Sequence, residues 1–126
     1  MSRSAAPIEN LLDLARVQDV MELMQSEDAR AFDQLISSLA TELVAFYALA
    51  LPSESASLDV TRRAAHSLKG ACLSMGAQAL GERFAEIERH AKDAKFSEIS
   101  ALSASSRDLG ANSIHALRTF AARAGK

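Results

Sequence analysis

A chain of 126 residues suits one domain built on a single core. Apolar residues make up 48% and charged residues 24%, and a formal net charge of −2 excludes the global basic field that draws a protein to nucleic acid or anionic lipid. The lone Cys72 excludes an intrachain disulfide, no run of about 18 apolar residues is present to span a membrane, and "MSRSAAPIEN" lacks a signal-peptide core.

These features lead to the expectation of a cytoplasmic all-α protein. Ala, Leu, Glu, Arg and Ser dominate over β-branched and aromatic residues, which favours helix. Residues 1–7, small, polar and closed by Pro7, read as a disordered lead-in, and residues 8–126 as one domain. "LLDLARVQDVMELM", starting at Leu11, predicts one or two short helical pieces suited to capping a bundle. Asp28 then opens a long helix whose core stripe is Phe32, Leu35, Leu39, Leu43, Phe46 and Ala50, at steps of three and four. It stops at "LPSESAS", where Pro52 and the serines mark a loop.

A second long helix is predicted over 57–75, with Leu58, Ala65, Leu68, Cys72 and Met75 on one face, and Gly76 breaks it. The third covers 77–94 on Leu80, Phe84, Ile87 and Ala91. Ser97 is placed as the cap of a fourth, which reaches Arg123 before Gly125 ends it. Its apolar stripe of Ile99, Leu102, Leu109, Ile114, Leu117 and Phe120 is interrupted by Ser103, Ser106, Asn112 and Ser113. Four amphipathic helices with short connections make an up-down antiparallel four-helix bundle with a short extra N-terminal helix.

One stretch departs from this pattern: "AHSLKGACLSMG", residues 65–76, carries a histidine, a lysine and a glycine within an otherwise apolar and small run. Gly inside a helix costs roughly 1 kcal/mol relative to Ala. Helical geometry places His66 roughly 140° from the centre of the core stripe, with Gly70 pointing outward and Lys69 and Leu73 on the flanks. His66 is either a solvated surface histidine or part of an outward patch. Gly70 would let another molecule approach His66, Leu73 would give that molecule an apolar contact, and Lys69 would suit an anion such as phosphate.

A hairpin folded at about residue 77 brings His66 level with Glu88, Lys69 with Ala85 and Leu73 with Gly81. A carboxylate at Glu88 that accepts from one ring nitrogen fixes the tautomer and leaves the other nitrogen as a nucleophile. Glu88 can equally pair with Lys92 at i,i+4. Gly81 and Ala85 are expected to keep the neighbouring docking surface flat.

"HSLKGACLSMG" closely resembles the phosphoacceptor motif of histidine-containing phosphotransfer domains, which runs H-x-L/I-K-G-A/S, then a small residue, then an apolar residue and a Gly ten positions after the His. The match falls on His66, Leu68, Lys69, Gly70, Ala71, Cys72, Met75 and Gly76. The resemblance implies that His66 accepts a phosphoryl group and relays it to or from receiver-domain aspartates in two-component signalling. Response-regulator receivers would be the partners, together with a hybrid or chemotaxis-type histidine kinase. Family relays often hold Gln where this chain has Glu88, and Glu there is similar to the chemotaxis-type domain, which leaves the upstream donor open.

The expected protein is a monomeric carrier rather than a kinase. It lacks G-x-x-x-x-G-K-[ST] and carries no cofactor of its own; Mg²⁺ would come from the receiver. An alternative is a module that binds and sequesters receivers without accepting phosphate. His90 and His115, on different helices and without ligand-spaced partners, predict no metal site.

Overall fold

The computed structural model describes residues 8–49 and 55–124. The expected lead-in at 1–7, the loop around Pro52, Ala50 and Gly125 lie outside them. The described residues form six helices: α1 (Ile8–Leu11), α2 (Leu14–Gln25), α3 (Ala31–Ala48), α4 (Ser55–Met75), α5 (Gln78–Lys92) and α6 (Phe96–Ala124). The fold is an all-α, up-down antiparallel bundle of α3 to α6. At its N-terminal end the one or two short helical pieces expected are two, α1 and α2. No described helix is long and apolar enough to cross a membrane.

Helical spacing explains the core. α3 buries Phe32, Ile36, Leu39, Leu43 and Phe46. Ile36 thus takes the place expected of Leu35, which is half-buried on the flank. α4 buries Leu58, Thr61, Ala65, Leu68, Cys72 and Met75, and α5 contributes Leu80, Phe84, Ile87 and Ala91. The rings of Phe46 and Phe84 meet edge to face at 5.1 Å, which locks α3 to α5 across the centre.

The stripe of α6 differs from the expectation. Its buried line is Ile99, Ser103, Ser106, Gly110, Ser113 and Leu117, so the serines form the stripe, with Leu102 and Leu109 half-buried beside it. Small side chains let α6 lie close to its neighbours. The Ser106 hydroxyl is satisfied by the Ser103 carbonyl at 2.8 Å and the Tyr47 hydroxyl at 2.7 Å.

Helix ends also move. α3 begins at Ala31 rather than Asp28, because the Asp28 carboxylate and carbonyl accept from the Arg30 and Ala31 amides in a turn ahead of it. Phe96 starts α6, so Ser97 lies inside the first turn and is not its cap. α5 ends at Lys92, where Ala94 turns to φ 54°.

The turn between α4 and α5 controls the site. Gly76 has φ +91°, its amide donates to the Leu73 carbonyl, and the Ala77 amide donates to the Cys72 carbonyl. This is the Schellman pattern that ends a helix on a left-handed glycine. The Gly76 carbonyl accepts from the Asp13 amide at 2.8 Å, and a Cβ at Gly76 would lie 2.5 Å from Val17 Cγ2. α2, itself capped by the Asp13 side chain on the Arg16 amide, therefore seats directly on the turn.

Candidate functional site

The hairpin that Gly76 closes runs α5 back along α4 and brings His66 to Glu88. The His66 Nδ1 lies 2.9 Å from Glu88 Oε2. The histidine side chain is 65% exposed and the glutamate only 8%. His66 is thus an outward ring held from below by a buried carboxylate. Nε2 is the nitrogen that no described residue engages.

A buried carboxylate without partners is costly. Here the second oxygen, Oε1, accepts from Lys69 Nζ at 2.8 Å, and Lys69 is 29% exposed. Lys92 Nζ stands 3.8 Å from Oε2. Glu88 therefore meets both partners weighed in the sequence, His66 and Lys92, and Lys69 besides. Lys69 first, then His66, hold the Glu88 carboxyl below its ordinary value against the opposing effect of burial. Glu88 is an anion under an exposed imidazole. A carboxylate in that place can accept from Nδ1–H, and the geometry leaves Nε2 facing outward.

The Lys69–Glu88 bond is the feature that residue spacing missed. In the register that pairs His66 with Glu88, Lys69 lies level with Ala85, and its stem reaches Glu88 one turn on. One helical turn separates His66 from Lys69, and one separates Glu88 from Ala85, so the signal was present in the register.

The remaining residues divide. Gly70 is exposed, and a Cβ there would meet nothing within 4 Å. Leu73 is half-buried rather than exposed. It lies over Gly81, where a Cβ would stand 2.6 Å from Leu73 Cδ2 and 3.3 Å from Cys72 Cβ. Gly81 is buried, so the docking contact expected of it is corrected: its missing side chain lets α4 and α5 close together. Ala85 is half-buried. Cys72 is buried, with its thiol pushed up to about 12 by desolvation, which makes it a core side chain. His90 is half-buried with Nδ1 unpartnered, His115 is exposed, and no cluster among the described residues could hold a metal ion.

Comparison with known families finds a match to the Hpt domain over residues 29–119. No curated protein and no solved structure matches the chain.

Proposed function

The chain belongs to the Hpt domain family, and from that premise we propose that it is a phosphoryl carrier of two-component relays with His66 Nε2 as the acceptor. The observation that carries this is the exposed His66 ring with Nδ1 held 2.9 Å from a buried carboxylate. In the forward step the Nε2 lone pair attacks the phosphorus of a receiver's aspartyl phosphate. An N–P bond forms, the P–O bond to aspartate breaks, and the aspartate leaves as carboxylate. Glu88 accepts from Nδ1–H throughout and stabilises the imidazolium that results. A second receiver's aspartate reverses the sequence and regenerates the neutral ring. Lys69, one turn from His66, is a cation that would offset the charge of the transferred group.

The partners are receiver domains, which would bring their own Mg²⁺ and acidic pocket, with Gly70 admitting the approach and Leu73 and Ala85 flanking it. Because Glu88 is a carboxylate and not an amide, a second reading is direct phosphorylation by the ATP site of a chemotaxis-type kinase. Sequestration of receivers without transfer remains the alternative of a different class.

The test is incubation with a phosphorylated receiver, scoring acid-labile, base-stable phosphate on this chain. Wild type is expected to gain it and His66→Gln to gain none. Labelling only by kinase and ATP would select the second reading. Binding without labelling would select sequestration.

A further inference from the structure

α3 packs on α4, α4 on α5, α5 on α6 and α6 on α3, which closes a ring of four helices. His66 stands on the α4–α5 edge, so the α3–α6 edge lies across the bundle from it. That far edge carries an open groove of about 420 Å³. α3 lines it with Ala40, Leu43, Val44 and Tyr47, at i, i+3, i+4 and i+7. α6 lines it with Gly110, Ala111 and Ile114 between two arginines, Arg107 and Arg118.

Two observations define an occupant. Val44, on the groove wall, is 70% exposed. A small molecule normally has most of its surface enclosed by its site, and this groove is too open for that; a partner as wide as a helix would cover it. The second is charge. No acidic residue lines the groove, and among the described residues no carboxylate lies within ion-pair distance of Arg107 or Arg118. The Arg107 guanidinium instead stacks on the Tyr47 ring at 4.9 Å, which fixes it at the rim. The two arginines are eleven residues apart on α6, hence about 16 Å apart along the axis and within about 20° of the same face. A chain with net charge −2 thus presents a positive, apolar-floored channel three turns long.

We infer that the α3–α6 groove docks an amphipathic helix of a partner protein, one whose apolar stripe lies between acidic residues about three turns apart. Such a helix lays its stripe between α3 and α6 and places one carboxylate on each arginine. It holds the domain from behind and leaves the His66 edge open. This site is independent of the phosphotransfer role.

The experiment uses the full chain and a labelled synthetic helical peptide, with a leucine stripe and two glutamates eleven positions apart, followed by fluorescence anisotropy. Saturable binding is expected. Arg118→Glu and Val44→Glu, both at exposed positions and checked by circular dichroism for folding, are expected to weaken it at least tenfold. His66→Gln is expected to leave it unchanged. Lysine in place of the peptide glutamate facing Arg118 is expected to restore binding to Arg118→Glu. Absence of saturable binding, wild-type affinity in both groove variants, or equal binding of a lysine-flanked peptide to wild type would overturn the assignment. So would a dimer in sedimentation that Val44→Glu dissolves, since the groove would then belong to a second copy.

Discussion

Glu88→Ala isolates what the carboxylate does for the His66 ring. A hydrogen bond to a charged group contributes about 1.5–3 kcal/mol when enclosed, but His66 is 65% exposed, which brings its share nearer the 0.2–1 kcal/mol of surface pairs. A bias of about 1 kcal/mol towards the Nδ1–H tautomer corresponds to roughly a fivefold population ratio. Removing Glu88 is therefore expected to lower the Nδ1–H to Nε2–H ratio about fivefold, read by nitrogen NMR at a pH where imidazole is neutral. Transfer from a phosphorylated receiver, followed under single-turnover conditions, should slow by no more than that factor, because only the fraction of rings with a free Nε2 lone pair attacks. The cost in stability is expected to stay near about 1 kcal/mol, since Lys69 can extend its ammonium into water and the buried charge is gone. An unchanged tautomer ratio would refute the reasoning, for the 2.9 Å contact would then not bias the ring. A loss of transfer by several hundredfold would refute it too, because a fivefold bias cannot supply that.

Acid should dissolve the same cluster. Lys69 and His66 hold the Glu88 carboxyl below its ordinary value, so the stability this gives is complete above the usual carboxylate pKa of about 4.3 and is lost as pH falls through the lower folded value. The gap in melting temperature between wild type and Glu88→Gln is expected to close progressively as pH falls below the usual carboxylate pKa of about 4.3; a gap that persists at low pH would contradict the pairing. Two glycines should respond with opposite signs in denaturant titrations. Gly70→Ala, with open space around the new methyl, is expected to gain about 0.5–1 kcal/mol. Gly81→Ala drives a methyl against Leu73 and is expected to lose about 1–2 kcal/mol, and equal stability for the two would show that α4 and α5 do not depend on that close approach. Cys72, with its thiol pushed up to about 12, is expected to resist alkylation at neutral pH until the chain unfolds, as mass spectrometry would show.

The helices and the hairpin register were legible because they rest on local rules. Apolar steps of three and four give α3 to α5, and Gly76 fixes the fold-back that sets His66 against Glu88. What escaped depends on which neighbour a side chain meets. Ser103, Ser106 and Ser113 look polar in sequence, yet they are buried where α6 needs small volume. Leu73 and Gly81 were placed level correctly, but register alone does not say that one fills the space the other lacks. Lys69 has a stem long enough to choose among several partners, and burial of Glu88 decides which.

The seat of α2 on the Gly76 turn bears on where this domain begins. The family match starts at residue 29, so it contains every side chain of the His66 cluster but neither Asp13 nor Val17. A chain trimmed to that span would keep the chemistry and lose the clasp. The Gly76 carbonyl would face water instead of the Asp13 amide, and the turn would lose the support it takes from outside the hairpin. Asp13 and Val17, far to the left in the sequence, thus support from a distance the turn that sets His66 against Glu88. Their removal would show first as faster amide exchange at Gly76 and Ala77, before any change at the histidine itself.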